Sequence, residues 1–179
     1  GNQAVLAVED LVEAFLDMAD VTAIALYIEA LNNIDRFSRA ALRALKQNVP
    51  IIAIKSGTSA VGKTIAIGHT GSLGGANKLY DALFERLGVI RASTVTELVE
   101  TAKMLSVTGV PEGPRMAATA ASGGDMAMIA DAGEQLGLEF PPLNDAQYKT
   151  IRALLPDFAT VSNPLDYTLG GWGRPEVQR

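Results

Sequence analysis

The sequence contains no cysteine and only one histidine, and each scarcity removes a class of site. Without cysteine there is no disulfide framework, no thiolate metal ligand and no thiol nucleophile. The single histidine, His69, excludes motifs in which two histidines bind one metal ion. We therefore predict no protein-bound metal site in this chain.

Positive charge and long apolar runs are also scarce. Lys and Arg number 15 against 20 Asp and Glu, a net charge of −5, so the basic surface that nucleic acids require is not expected. No run approaches the roughly 18 apolar residues of a membrane span, and the start lacks a signal-peptide pattern. These absences predict a cytoplasmic protein with neither nucleic acid nor membrane as partner. The 48% hydrophobic content is ample for a packed core.

Strand-like and helix-like segments alternate through the first part of the chain. TAIALYIE and PIIAIK are short apolar runs typical of buried parallel strands, and VIRA is a third, brief strand. Helical spacing predicts a helix over residues ~8 to 19 with an apolar face, and a second from 34 to 47 capped by Asn33. The two predicted apolar faces are Val8, Leu11, Phe15 and Met18, and Phe37, Ala41, Ala44 and Leu45. NKLYDALFERL, ended by Gly88, and TELVETAKML, opened by a capping box of Thr94 and Glu97, are further helices. This alternation favours a doubly wound α/β fold.

Two prolines and two glycines in SVTGVPEGP indicate a linker, after which a second unit begins. We predict a first domain over 1–107, a linker over 108–114 and a second α/β subdomain over 115–179. In the second, RMAATAAS is a strand, Gly123-Gly124 a tight turn and DMAMIADAGEQL a helix, and Asn144 caps another helix. The chain lacks an initial methionine and stops soon after a turn-rich stretch, so we expect a piece of a longer protein, with the second subdomain truncated.

Residues 57–64, GTSAVGKT, have the Walker A spacing of a nucleotide-binding loop. Such a loop needs a strand before it, which PIIAIK supplies, and a helix continuing from Lys63 and Thr64. The following TIAIGHTGSLGG is rich in glycine, which costs about 1 kcal/mol per helix position relative to alanine. Glu29, at the end of the first strand, could supply the acidic residue that magnesium requires.

The same stretch supports a second interpretation, centred on His69. A neutral imidazole is a competent nucleophile toward phosphorus. Its glycine neighbours, including Gly71, let the backbone approach an anion, and the hydroxyls of Thr70 and Ser72 can bond phosphate oxygens. From these residues alone, both the nucleotide loop and the phosphate-facing histidine remain open.

The stretches GHTGSLGG, KLYDALFERLGVIRASTVTELVETAKML, ASGGDMAMIADAGEQLGLEFPPL and NPLDYT together resemble the NDP-forming acyl-CoA synthetases. This superfamily includes succinyl-CoA synthetase and ADP-forming acetate-CoA ligase, and the resemblance covers nearly the whole chain. It implies two tandem flavodoxin-like subdomains of the succinyl-CoA synthetase type. It also implies a cycle from acid, ATP and CoA to acyl-CoA, ADP and phosphate. Under it the Walker A spacing is a coincidence, and Lys63 has no fixed role. The alternative is a non-catalytic regulatory module that binds nucleotide through GTSAVGKT.

The resemblance assigns the catalytic roles to His69 and Glu29. His69 corresponds to the family histidine that is phosphorylated during turnover, although many acetate-type members have serine where this chain has Gly68. Glu29 corresponds to a carboxylate that bonds the other nitrogen of the histidine and fixes its tautomer.

Further residues are expected around the phosphoryl group. Ser122, Gly123 and Gly124 precede a helix whose free amides and positive end face an anion, and Gly71 and Ser72 lie next to the histidine. Ser56 and Gly57 lie at the carboxyl end of a parallel strand, where such sheets bind ligands or cofactors. Asn163, Asp166 and Tyr167 of the NPLDY turn are explained by turn geometry, so no chemistry is assigned to them.

The resemblance also predicts partners. ATP or ADP, with Mg²⁺ on the nucleotide, and CoA would be substrates bound mainly by domains outside this chain, and nothing is expected to be bound tightly here. Those partners are an N-terminal CoA-binding domain and an ATP-grasp domain or subunit. A small carboxylic acid completes the substrate set, and we expect an oligomer that is inactive as this fragment alone.

Overall fold

The computed structural model describes residues 3, 5–59, 61–62 and 77–168. Residue contacts divide the chain into two compact units, Gly1–Val110 and Pro111–Arg179. The elements of the first unit are α1 (Val8–Leu16), β1 (Ile24–Ile28), α2 (Ile34–Lys46), β2 (Ile51–Lys55), α3 (Asn77–Leu87), β3 (Ile90–Arg91) and α4 (Val95–Thr108). Those of the second are β4 (Thr119–Ala120), α5 (Gly123–Gln135), α6 (Asp145–Leu154) and β5 (Leu165–Asp166). Within these residues, no helix is both long and apolar enough to cross a membrane.

The first unit contains a three-stranded parallel sheet in the order β1-β2-β3. β1 pairs with β2 from Ile24 opposite Ile51 to Ile28 opposite Lys55. β3 pairs with the other edge of β2, with Ile90 opposite Ile52. The expected parallel α/β architecture is therefore confirmed, with β2 as the central strand.

All five residues of β2 are buried because helices cover both of its faces. Ile51 and Ala53 pack in a cluster with buried residues of α1, α2 and α3. Ile52 and Ile54 pack in a second cluster with residues of α4. Side chains of a strand alternate between its two faces, so β2 belongs to both hydrophobic layers.

β1 differs from the expected fully buried strand. Its residues alternate between buried and exposed, and Tyr27 is 58% exposed. Ile24, Leu26 and Ile28 face the large cluster, whereas the buried residues of α4 pack with Ile52 and Ile54 of β2. β1 is therefore buried on one face only.

The predicted apolar face of α1 is wrong for three of its four residues, and only Val8 packs against the core. The helix buries Val12 and Leu16 together with Glu9. The residues predicted to be buried, Leu11, Phe15 and Met18, are 42%, 40% and 56% exposed. The sequence carries two apolar rows at helical spacing, and α1 packs its Val12 row on the core. The helix also ends at Leu16, before the predicted residue ~19.

α2 shows a smaller shift of its buried face. Phe37, Ala41 and Ala44 are buried as predicted, but Ala40 is buried as well. Leu45, predicted to be buried, is 57% exposed. The small residues Ala40, Ala41 and Ala44 therefore form the contact surface of this helix.

Most of the predicted helix boundaries are confirmed by their capping contacts. Asn33 Oδ1 accepts a hydrogen bond from Arg36 N at 2.9 Å, and Asn144 caps α6 in the same manner. Thr94 caps α4, since its Oγ1 accepts a hydrogen bond from Glu97 N. The carboxylate of Glu97, however, accepts from Ser93 N, whereas in the predicted capping box it would accept from Thr94 N. Gly88 follows α3 with φ +66°, the left-handed conformation expected of a glycine there.

In the second unit β4 and β5 are parallel, with Thr119 opposite Leu165. The predicted strand over 115–122 is reduced to two residues, because its partner β5 is equally short. The side chain of Asn163 secures the segment before β4. Its Nδ2 donates to Met116 O at 2.9 Å and to Pro141 O at 3.0 Å, and its Oδ1 accepts from Ala118 N at 3.3 Å.

Candidate functional site

The carboxyl ends of β1 and β2 bring two predicted site residues to one edge of the sheet. Ile28 and Lys55 are the last register pair, and Glu29 and Ser56 are the residues that follow them. Ser56 N donates to Ile28 O at 3.0 Å, which extends the pairing one step beyond the strands. Glu29 and Ser56 are both half-buried. This edge is where open parallel sheets bind ligands.

Gly57 changes the direction of the chain directly after β2. Its φ of +66° lies in the left-handed region, which glycine adopts without a steric penalty. The backbone returns to this point five residues later, since a Cβ on Gly62 would lie 3.3 Å from Gly57 Cα. Gly62 N also donates to Ser59 Oγ at 3.0 Å. The two glycines of the Walker A spacing, Gly57 and Gly62, are therefore packed against each other.

Lys55 is a buried cation at this edge that the sequence analysis did not identify. It is the last residue of the central strand and is 5% exposed. Its Nζ donates to Ser56 O and lies 4.8 Å from the centroid of the Tyr80 ring. The signal for it was available, because an ionisable residue ending an otherwise apolar strand must lie at the edge of the core.

Tyr80 connects Lys55 to the loop that follows β1. Its hydroxyl oxygen accepts from Leu31 N at 3.1 Å, and its ring packs edge-on against Phe84 with centroids 5.8 Å apart. Tyr80 is 9% exposed, so this bridge between α3 and the loop is shielded from water. Tyr80 was predicted as part of a helix, with no role at the site.

A second buried group holds the same loop. Glu9, which is 1% exposed, accepts a hydrogen bond at Oε1 from Asn33 N at 2.7 Å. Its Oε2 has no hydrogen-bond partner among the described residues. The loop from Glu29 to Asn33 is therefore held at Leu31 by α3 and at Asn33 by α1.

The predicted histidine loop is not part of this description. His69, Gly71 and Ser72 lie outside the described residues, as does Lys63 of the Walker A spacing. Their assignments remain predictions. Among the residues that the structure does describe, no group of three or more His, Cys, Asp or Glu side chains could hold a metal ion.

In the second unit, Ser122, Gly123 and Gly124 form the exposed start of α5. Ser122 is the N-cap, and its Oγ accepts from Asp125 N at 3.4 Å. The helix was expected to begin at Asp125 after a glycine turn, but both glycines already belong to it. Their amides are among the first N–H groups of the helix, which have no intrahelical acceptor.

A carboxylate lies beside this helix start. Asp166, the last residue of β5, has its Oδ2 only 3.2 Å from the position that a Cβ on Gly123 would occupy. Its Oδ1 accepts from Thr168 N at 2.7 Å, the local contact expected of a turn aspartate. A side chain at position 123 would therefore crowd Asp166. The parallel pairing of β4 with β5 produces this proximity, which the turn motif alone did not indicate.

Comparison with known proteins identifies the family. The model of the succinyl-CoA ligase like flavodoxin domain matches residues 1–105. The chain belongs to this family, as its motifs indicated.

The relatives of this chain include several ADP-forming ligases. Subunit alpha of the ADP-forming acetate–CoA ligase II of Pyrococcus furiosus is 37% identical over 166 residues, which are 93% of this chain and 36% of that protein. A trans-feruloyl-CoA synthase from an unknown prokaryotic organism is 36% identical over 177 residues, or 99% of this chain and 25% of that protein.

A solved structure supports the same relationship. The dinucleotide forming acetyl-coenzyme A synthetase 1 of Ca. Korarchaeum cryptofilum, in complex with phosphate and ADP, matches with a TM-score of 0.77 and 31% identity. The match covers 94% of this chain and 36% of that one. This chain thus spans about a third or less of the length of these relatives.

Proposed function

We propose that this chain is the phosphohistidine-bearing part of an ADP-forming acyl-CoA synthetase that converts a small carboxylic acid, ATP and CoA to acyl-CoA, ADP and phosphate. The ligase relatives support this activity. The observation that carries the proposal is the register of β1 and β2, which brings Glu29 and Ser56 together at the carboxyl edge of the sheet. Residues 57–76, which include His69, follow Ser56 in the sequence.

His69 is the carrier in this proposal. A nitrogen of its imidazole attacks the terminal phosphorus of ATP, the bond to the bridging oxygen breaks, and ADP leaves with the electron pair. The other ring nitrogen keeps its proton and donates a hydrogen bond to Glu29, which fixes the tautomer that leaves the attacking nitrogen unprotonated. A carboxylate oxygen of the acid then attacks the phosphorus, the N–P bond breaks with its electron pair returning to the imidazole, and an acyl phosphate forms; the sulfur of CoA attacks the acyl carbon and displaces phosphate, which leaves acyl-CoA. Two transfers replace a single, more difficult one.

The anionic phosphoryl group requires compensating polar groups. We assign Gly71 and Ser72 to this role next to the histidine, and Ser122 with the amides of Gly123 and Gly124 in the second unit. An exposed helix start presents free N–H groups and the positive end of the helix dipole. Ser56 and Gly57, at the sheet edge, are assigned to the bound substrates.

The remaining components belong to other parts of the enzyme. We propose an N-terminal CoA-binding domain and an ATP-grasp domain or subunit as partners, with Mg²⁺ accompanying the nucleotide. Residues 1–107 and 115–179 would act as two subdomains joined by 108–114. The assembly would be cytoplasmic and oligomeric. The alternative, a nucleotide-binding module without chemistry, is not favoured, because several relatives are ADP-forming acetate–CoA ligases.

The test is incubation of the complete enzyme with ATP labelled at the terminal phosphate. Label should enter the protein, map to His69, and be stable in base but not in acid. His69→Ala should abolish both the label and turnover. Glu29→Gln should slow labelling by roughly 10²-fold or more, because the imidazole loses its negatively charged partner.

Glu100→Gln is the matched control, because Glu100 has a 64% exposed side chain on α4 and its change should leave labelling intact. Normal turnover of His69→Ala would refute the proposal. Titration calorimetry of the chain with ATP and magnesium examines the alternative, for which Lys63→Ala should abolish binding.

A further inference from the structure

A cavity of about 190 Å³ lies at the amino ends of β2 and β3. Ile51 and Ile90, the first residues of these two strands, line it. The candidate site follows Lys55, at the other end of β2. A parallel strand rises about 3.3 Å per residue, so the length of β2 separates the two places by roughly 15 Å. The cavity is therefore distinct from the edge of the sheet at which the proposed reaction takes place.

The cavity results from small side chains on α2 and from a glycine after α3. Ala41 and Ala44 line it from α2, where each contributes only a methyl group. Gly88 contributes no side chain, and a Cβ at this position would lie 3.4 Å from Leu45 Cδ1. All the lining residues, up to Val110, belong to the first unit. This unit therefore forms the cavity by itself.

The lining is apolar. Among the described residues that form it, none carries a charge, and Asn48 has the only polar side chain. Water inside a protein needs about 2–4 polar partners, so this lining does not favour ordered water. An apolar cavity of about 150 Å³ stays dry and binds benzene. Both the volume and the lining therefore match an apolar molecule of about that size.

We propose that this cavity binds a small, neutral, apolar ligand about the size of one aromatic ring. The inference does not rest on the proposed function. A protein is a poorer occupant, because a specific interface buries about 1,000 Å² or more, whereas this cavity accepts little more than one side chain. A carboxylate is disfavoured as well, since no cation among the lining residues offsets the cost of burying its charge. The ligand class is thus an uncharged aromatic or branched aliphatic molecule.

The probes are toluene and its charged counterpart benzoate, each titrated into the complete protein with isotope-labelled methyl groups of Ile, Leu and Val. Toluene should shift the methyl resonances of Ile51, Leu87 and Val89 in NMR spectra in a saturable manner, with a Kd of about 1 mM or below. Benzoate should bind at least about tenfold more weakly. Shifts that do not saturate, that lie elsewhere in the protein, or that benzoate reproduces equally well would overturn the proposal.

Leu45→Asp places a carboxylate in the lining and should weaken toluene binding by about tenfold or more. Leu42→Asp is the matched control, because Leu42 is 44% exposed on the same helix and does not line the cavity. It should bind toluene like the wild type. The proposal is overturned if neither variant weakens binding or if both weaken it equally.

Should Leu45→Asp not fold, Val110→Asp tests the same cavity. Val110 is 62% exposed and lies beyond the end of α4, so its replacement does not disturb the core. It should weaken toluene binding by about threefold or more, whereas Val107→Asp, at an 81% exposed position outside the lining, should not. Wild-type lining methyls that do not respond to saturating toluene would mean that another part of the complete protein fills the cavity, and this also overturns the proposal.

Discussion

Replacing Asn163 by alanine should destabilise the second unit. The Asn163 side chain makes three hydrogen bonds, all to backbone groups of residues distant in sequence. Two of these groups, Met116 O and Ala118 N, belong to the segment that leads into β4. The third, Pro141 O, lies before α6. One side chain therefore joins three parts of the unit.

The magnitude follows from these contacts. A hydrogen bond inside a protein contributes about 1 kcal/mol net, and a buried backbone group left without a partner costs about 1–3 kcal/mol. The three groups are partly buried, so water can replace some of what is lost. We expect Asn163→Ala to lower the free energy of unfolding by about 2–3 kcal/mol.

Urea unfolding of the whole chain, followed by far-ultraviolet circular dichroism, measures this loss. Ser162→Ala is the control, since Ser162 is exposed and donates one local hydrogen bond, to Pro164 O at 2.7 Å. It should change the free energy by less than about 0.5 kcal/mol. A loss for Asn163→Ala no larger than that of the control would refute the reasoning.

Asn163→Asp provides a second check with a defined dependence on pH. The aspartate keeps an acceptor for Ala118 N but turns a carboxylate oxygen toward the carbonyls of Met116 and Pro141. The ionised form is therefore disfavoured in the folded state, and the pKa of the new carboxyl should rise above its unfolded value. Stability relative to the wild type should then recover as the pH falls through the folded pKa toward about 4. A difference from wild type that is constant with pH would contradict this.

Three further changes are expected to affect the first unit, each measured by urea unfolding. Phe84→Ala removes a ring that is 1% exposed and should cost about 3–5 kcal/mol; a cost below half of that would contradict its place in the core. Gly88→Ala forces a side chain into a left-handed φ of +66° and should cost about 1 kcal/mol, whereas the control Gly113→Ala in the second unit, with open space around it, should be nearly neutral. Glu9→Ala leaves Asn33 N without its acceptor and should cost about 2–3 kcal/mol, while Glu9→Gln, which keeps an acceptor oxygen, should cost less; equal costs would exclude the hydrogen bond as the cause.

The order of elements was predictable because its signals are local. Asn33, Gly88 and Asn144 mark helix ends by chemistry that does not depend on the rest of the fold. The buried faces of the helices were less predictable. In α1 the sequence offers two apolar rows, and the choice of the Val12 row depends on the packing partner, which periodicity does not specify.

The candidate site likewise has features that local sequence signals predict and features that depend on tertiary packing. Glu29 and Ser56 could be placed at one edge of the sheet, because parallel strands end together. The contact of Lys55 with Tyr80 joins a strand end to a helix 25 residues later, and the approach of Asp166 to Gly123 depends on the pairing of β5 with β4. Such contacts between distant residues follow from tertiary structure and have no local signature.

The central strand has a consequence for engineering this domain. β2 separates two hydrophobic clusters, and Ala53 packs in one of them while Ile52 packs in the other. A larger side chain at position 53 would displace β2 toward α4. A smaller side chain at position 52 would leave a cavity on the α4 side, which would accommodate that displacement. Redesign of either cluster should therefore change positions 52 and 53 together, so that side-chain volume added at one position is removed at the other.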